Sequence, residues 1–433
     1  MIFSNLVVTT QLVTDMKIKP LIQLREMIAA ALSSMTNLSK TFEKFIIDTM
    51  QLFLTSSGRM NFTQMARCSS SCESRFRQNF KKPFDWLSFN RHFLSSMMGH
   101  RIAIGIDPCF IPKAGKKTPG VDWFWSGCAG AIKHGLEILE LSVVDADAKD
   151  AVFLKAEQTF TQKCRGRKPS CTKGMEDPDS LTGWYLRMLC RINKQLLSIC
   201  NLIVADAYFS KESFVTGVKE LGFNLISRFR DDVNLKYLYR GPKAKKRGRP
   251  QKFAGKVDLK HLDMNIFKEE YAVDDKLVYK LYTADVWAVS LGREVRVIIV
   301  DYLDTDKKTQ ARKVFFSTDL TLSAKDIFDI YRTRIQLEFV FCDAKQFTGL
   351  THCQARNKEA LAFAFNASLS SVNVARAYAR QQGHNLSVGS TKTLLHNAAM
   401  VDRFIAMSAK HANLRLNNTD FKELLFYGVR AVA

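Results

Sequence analysis

The spacing of apolar and polar residues changes along the chain, and the changes divide it. "KPLIQLREMIAAALSSM" and "KTFEKFIIDTMQLFL" place apolar residues at helical intervals, so residues 1 to about 95 are predicted to be helical. Within that span, "MNFTQMARCSSSCESRFRQNFKKPFDW" sets Thr63 to cap one helix. A Ser-rich turn then leads to a second helix loaded with Arg75, Arg77, Lys81 and Lys82. The pair reads either as a helix-turn-helix presenting Arg75 and Arg77 to a DNA groove or, equally, as a helical hairpin with a solvated face.

From residue 101 the period shifts towards two. "RIAIGID" alternates Ile102, Ile104 and Ile106 with small residues and ends at Asp107, the pattern of a strand closing on a carboxylate. "GLEILELSVVDAD" predicts another strand. The short apolar run in "LSICNLIVADAYFS" predicts a buried one, ending at Asp206 and leading into a helix at about Ser210. Residues 223 to 320 are strand-rich, as in "KLVYKLYTADVWAV" and "REVRVIIVDYL". Helix resumes where Ser323 can cap "AKDIFDIYRTRIQLEFVFCDAKQF", and further helices run on to the C-terminus. No internal repeat is visible.

Composition narrows the partner. The 433 residues predict two or three domains, and 64 Lys and Arg against 42 Asp and Glu leave a net charge of +22. Such an excess favours a polyanion. Lys, Arg, Asp or Glu interrupts every long apolar stretch, so no membrane span is expected, and the N-terminus lacks the basic region of a secretory signal. The 10 cysteines have no zinc-ligand spacing and read as reduced cytosolic thiols. One segment stands apart: "KYLYRGPKAKKRGRPQKFAGK" is basic, broken by Gly and Pro, and free of acidic residues. Its "RGRP", with Arg247 and Arg249, resembles a hook that enters a narrow minor groove.

The helix after Ser323 carries the chemistry. At about 100° per residue, Tyr331, Arg334 and Lys345 share one narrow stripe with Glu338, flanked by the apolar Ile335 and Phe341 that are expected to pack it against a sheet. An Arg334–Glu338 pair at i,i+4 accounts for part of this polar seam, but Lys345 lies two turns away. A carboxylate with cations above and below suits phosphodiester chemistry. Three carboxylates suffice to place two Mg²⁺ ions, one activating the attacking oxygen and one stabilising the leaving oxygen. Asp107, Asp145, Asp206 and Asp301 all close apparent strands, and spacing does not choose among them.

The order Tyr331, two residues, Arg334, three residues, Glu338, six residues, Lys345 resembles the Tyr-Arg-Glu-Lys signature of DDE transposases of the insertion-sequence-four group. "IAIGIDPCFI" and "LIVADAYFSKESF" resemble that group's two aspartate segments. The resemblance covers residues 97 to about 380. It implies an α/β fold: an RNase H-like catalytic core holding Asp107, Asp206 and Glu338, with a β-rich insertion between the second aspartate and the glutamate. Residues 1–96 would be a helical N-terminal DNA-binding domain, 97–222 and 323–380 the two parts of the core, 223–322 the insertion, and 381–433 a C-terminal helical region.

The implied function is metal-dependent cleavage of transposon ends and transfer of the 3′-OH to target DNA. Two Mg²⁺ ions, with Mn²⁺ able to substitute, would sit on Asp107, Asp206 and Glu338. Tyr331, Arg334 and Lys345 would contact the DNA backbone, and Trp287 would stack a flipped base. The implied partners are terminal inverted repeats and target DNA, the assembly a homodimer on paired ends, and the location the nucleoid of a prokaryotic cytoplasm. Asp145, Asp147 and Asp301 are expected to be turn or surface residues, and His134 and His352 structural. A co-opted, non-catalytic DNA-binding protein is the alternative, and a nuclease that cuts without joining is a third reading.

Overall fold

The computed structural model describes residues 19–115, 117–160, 180–241, 250–274, 277–303, 309–408, 424–427 and 429. Helices α1 (Lys19–Ser33), α2 (Lys40–Thr55), α3 (Phe62–Arg67), α4 (Glu73–Asn79), α5 (Trp86–Arg91) and α6 (Leu94–Met97) precede strands β1 (Ile102–Pro112), β2 (Asp122–Ser126), β3 (Ala131–Asp145) and β4 (Asp150–Gln158). Then come α7 (Leu181–Arg191), α8 (Asn193–Leu197), β5 (Leu202–Ala205), α9 (Glu212–Glu220) and β6 (Asn224–Arg228). Strands β7 (Leu235–Leu238), β8 (Phe253–Lys256), β9 (Lys268–Asp274), β10 (Leu277–Ala288), β11 (Arg293–Leu303) and β12 (Thr309–Ser317) follow. Helices α10 (Ala324–Thr333), α11 (Ile335–Asp343), α12 (Lys358–Gln381) and α13 (Val388–Ser408) come last among these elements.

The twelve strands of the described residues join one sheet in the order β2-β3-β1-β5-β6-β12-β11-β10-β7-β8, with β4 on β3 and β9 on β10. β1 pairs antiparallel with β3, and β3 with β4, whereas β5 and β6 run parallel to β1. The segment β4-β3-β1-β5-β6 is therefore the RNase H-like arrangement, and the fold is mixed α/β with helical regions at both ends. The strand-rich residues after β6 extend the same sheet through antiparallel pairs.

Each face of the sheet buries its own core. One core joins the N-terminal helices, α11 and α12 to alternate residues of β1, including Cys109 and Ile111. The other joins α7 and α9 to Ile104 and Ile106. The N-terminal helices close over α12, with the rings of Phe80 and Phe363 at 4.3 Å and those of Trp86 and Phe363 at 5.0 Å. Ser39 caps α2 by accepting from the Phe42 amide. At α3 the cap is Asn61, not Thr63. Asn61 Oδ1 accepts from the Gln64 amide at 2.9 Å, while the Thr63 hydroxyl, already inside the helix, donates to Glu73.

β4 pairs with β3 alone, yet its outer edge is buried under α12. A buried strand edge must find partners for its amides and carbonyls. Asparagine side chains supply them. Asn373 accepts from the Phe153 amide at 3.0 Å and donates to its carbonyl at 2.8 Å. Asn366, two turns earlier, does the same for Ala156 at 2.9 Å each way. Asn90 of α5 donates to Leu154 O at 3.0 Å and accepts from Asn373 at 2.8 Å, tying the N-terminal helices to the same edge. Replacing Asn373 by Leu strands two buried backbone groups and is expected to lower stability by about 3 kcal/mol. Thermal denaturation checks this, and an unchanged Tm would show that the edge is satisfied some other way.

Candidate active site

The register of the sheet assembles the site. Ile104 lies opposite Ile203 and Ile106 opposite Ala205 in the parallel β1–β5 pair, so the next position sets Asp107 beside Asp206. Asp107 does not end its strand, as its sequence suggests, because β1 runs on to Pro112 against β3. Asp206 does end β5. Its carboxylate accepts from the Tyr208 amide at 2.9 Å, and its carbonyl accepts from the Ser227 hydroxyl at 2.8 Å. Glu338 arrives on α11, brought close by a missing side chain. A Cβ at Gly105 would stand 2.7 Å from Leu337 Cδ1, so glycine there lets the residue before Glu338 dock on β1.

The helix carrying Glu338 is not the continuous one its periodicity predicts. Ser323 caps α10 through the Asp326 amide at 3.0 Å, but the chain tightens at Arg334. There the Arg334 and Leu337 amides bond three residues back, and at Ala344–Thr348 the helix widens into a π-turn. These changes of pitch break the single stripe expected at a constant 100° per residue. They also leave Ile335 and Phe339 exposed, so Ile335 does not pack the stripe against the sheet, whereas Leu337, Val340 and Phe341 do.

Arg334 is the electrostatic centre. Its guanidinium reaches Asp107 Oδ1 at 3.5 Å and Glu338 Oε1 at 3.3 Å. The side chains of Arg334 and Asp107 are each 16% exposed, whereas that of Glu338 is 50% exposed. Burial pushes the Asp107 carboxyl up to about 7. Arg334 opposes that rise, and the charges of Asp206, Glu338 and Glu137 add to it. Asp206 is likewise raised by burial, against the pull of Arg334 and of backbone hydrogen bonds from Tyr208 and Phe209. One guanidinium therefore does not balance the carboxylates gathered around it, and the site retains a deficit of positive charge.

That deficit, on oxygen donors, suits a hard divalent cation. Among the described residues no three potential ligands stand close enough to hold an ion, with Arg334 lying between Asp107 and Glu338. Tyr331 is half-buried, its ring 4.7 Å from Phe315, and burial raises its pKa. Tyr331 and Arg334 line a cleft of about 340 Å³ together with Arg228, Lys313 and Arg332. Lys345 lies over Phe341 and against Cys109, two residues beyond Asp107. Burial pushes the Cys109 thiol up to about 12, while Lys345 acts to lower it.

Other residues singled out from the sequence lie elsewhere. Arg75 is held by Ser71 at 3.2 Å, and Arg77 by Glu73 and the face of Phe62, on the short helix α4. Trp287 is on β10, four strands from β5 in the sheet, with Lys252 Nζ 3.4 Å from its ring centre. Arg247 and Arg249 lie outside the described residues. Asp301 is buried in a two-pronged pair with Arg312, not at the surface. Asp145 is also buried, accepting from the Gly99, Asp147 and Ala148 amides at a turn. Asp147 pairs with Arg101. His352 accepts from the Met60 amide, and His134 packs its ring on Trp123.

Glu140 has no signal in the sequence beyond its place in an apolar strand. It stands opposite Asp107 in the β1–β3 pair, fully buried, with Oε2 lacking a hydrogen-bond partner among the described residues.

A mixed sheet of this order, with aspartates side by side on its parallel strands and a glutamate helix above, is the architecture of RNase H-like nucleases. The family model for DDE superfamily endonucleases matches residues 45–270, more than half of the chain, and the chain belongs to that family. The model for the transposase DDE domain matches residues 189–374. The first span contains Asp107 and Asp206, and the second contains Asp206 and Glu338. The protein is thus a transposase-type nuclease. No curated protein matches the chain.

Glu140 generates a stability prediction. Burial pushes its carboxyl up to about 8, against the hydrogen bond from Ser142, whereas an unfolded glutamate ionises near 4.5. Between those values the unfolded chain releases a proton that the folded chain keeps, so rising pH costs stability there. The Glu140→Gln variant, free of that cost, is expected to gain on the wild type by up to about 1.4 kcal/mol per pH unit from pH 5 to pH 8. Denaturation at the two pH values reads the difference, and parallel curves would mean that Glu140 is already ionised in the fold.

Proposed function

We propose that the protein is a DDE transposase of the insertion-sequence-four group, cutting double-stranded DNA at transposon ends and joining the freed 3′-OH to target DNA. The observation that carries the reading is Asp107 beside Asp206 on neighbouring parallel strands of an RNase H-like sheet, with Arg334 linking Asp107 to Glu338. With Arg334 displaced from between Asp107 and Glu338, those two carboxylates and Asp206 would hold Mg²⁺, as two ions with Mn²⁺ able to substitute. Such a cation would supply Lewis-acid chemistry, a lowered pKa for an attacking water and neutralised charge on the leaving oxygen.

The remaining work falls to the chain's own residues. Arg334 keeps the carboxylates from repelling one another while the site is empty of cation, and on arrival of DNA its guanidinium can turn to a phosphate. Tyr331 and Arg334, with Arg228 and Lys313 in the same cleft, offer a phenol and cations to the backbone beside the scissile bond. Lys345 adds an ammonium on the other side, next to β1. Arg75, Arg77, Arg247 and Arg249 would hold DNA further out, and Trp287 would stack a displaced base. Paired ends would be held by two copies of the chain.

The alternative, a co-opted DNA-binding protein, draws on Arg334 standing between two of the carboxylates. Cleavage of a labelled duplex decides between them. Asp107→Asn, Asp206→Asn and Glu338→Gln are each expected to lower Mg²⁺-dependent cutting roughly a thousandfold or more while DNA binding survives. Undiminished cutting by any one variant removes that residue from the site. A wild type that binds DNA and never cuts favours the co-opted reading, and strand-transfer products from pre-cleaved ends separate a transposase from a simple nuclease.

A further inference from the structure

At the far end of β1 a second feature has no role in the site just described. A groove of about 890 Å³ opens where the strand ends, lined by Arg59, Lys113, Lys117, His352 and Arg356, with no Asp or Glu among its lining residues. Small-molecule pockets are mostly apolar, and this lining is cationic. Arg59, Lys117 and Arg356 are exposed, and among the described residues none of the three is ion-paired. Lys113 is half-buried and donates to the Cys353 carbonyl, which fixes its ammonium at the groove wall.

Three separate segments contribute these cations: the turn after α2, the loop after β1, and the loop between the π-turn and α12. Like charges from distant parts of the sequence repel one another, and nothing in the groove offsets them. Burial lowers the pKa of His352 in the groove wall, and the nearby charges of Arg59 and Lys392 lower it further.

The position relates the groove to the carboxylates. β1 runs straight from Asp107 to Pro112, which is about 17 Å at the rise of a strand. A nucleic-acid strand advances about 3.4 Å per nucleotide, so a duplex lying along β1 would bring the groove about five nucleotides from a bond cut at Asp107.

We propose that this groove binds the phosphodiester backbone of double-stranded DNA, about half a helical turn from the scissile phosphate, through Arg59, Lys117 and Arg356. The groove extends the function proposed above and rests on it for the identity of the polyanion. Binding there is a property separate from cutting, because none of its residues belongs to the carboxylate cluster.

The test is the salt dependence of duplex binding by the full chain, read by anisotropy of a labelled DNA of arbitrary sequence. Each lost phosphate contact lowers the slope of log K against log salt by about 0.9, so the triple variant Arg59→Ala, Lys117→Ala, Arg356→Ala should lose between about 2 and 3 from its slope. A control variant carrying Lys40→Ala, Lys194→Ala and Lys260→Ala removes the same net charge from exposed positions elsewhere and should keep the wild-type slope. Thermal melts establish that both variants fold. Equal slopes in the groove variant and the control overturn the proposal, as does a wild type that binds no duplex. Groove-dependent binding without any cleavage sinks the nuclease reading and leaves the groove standing, whereas cleavage with an unaltered slope in the groove variant does the reverse.

Discussion

The fold turns on α12, a helix buried on nearly every side. A helix in that position has no solvent-facing stripe on which to place polar residues, and this one uses its polar residues as structural cement instead. Asn366 and Asn373 act as a substitute strand along β4, satisfying an edge that water cannot reach. Phe363 receives the N-terminal helices, and Arg376 pairs with both Asp343 of α11 and Asp150 of β4. The helix that carries Glu338 is therefore set against a scaffold that also holds the sheet and the N-terminal helices. A disturbance at the β4 edge is transmitted to the site through shared packing, because the interior is too dense to absorb it locally.

The site itself is held in tension. Asp107 is placed by backbone register in a position where its carboxyl is desolvated and crowded by like charge, and Arg334 relieves only part of that. A second carboxylate, Glu140, lies beside it across the β1–β3 pair, with one oxygen lacking a hydrogen-bond partner among the described residues. Groups kept in such conditions lower stability, and they mark the carboxylates as a functional rather than a structural cluster. Two cationic surfaces, the cleft lined by Tyr331, Arg228 and Lys313 and the groove at Arg59 and Arg356, lie apart from the carboxylates. A positive surface beside a negative centre is the charge pattern that draws a polyanion.

What the sequence by itself determined is chiefly local. The period-two run at Ile102 to Ile106, the apolar run before Asp206, the cap at Ser323 and the charge excess each follow from interactions between near neighbours in the chain, so they are legible without the fold. So is the presence of a carboxylate among cations on the helix after Ser323. Tertiary structure decided the rest, because it depends on which strands pair and how helices adjust when packed. The β1–β5 register, not spacing, makes Asp107 and Asp206 neighbours, while the β3–β4 turn takes Asp145 and the β11–β12 pairing gives Asp301 to Arg312. The tightening at Arg334 and the π-turn at Ala344 arise where α10 and α11 must fit the sheet, and no constant helical angle anticipates them. Glu140 and the groove at Arg59, Lys117 and Arg356 are invisible in the linear chain for the same reason. A single buried glutamate in an apolar run has no period, and three cations distant in sequence form a surface only when the backbone folds them together.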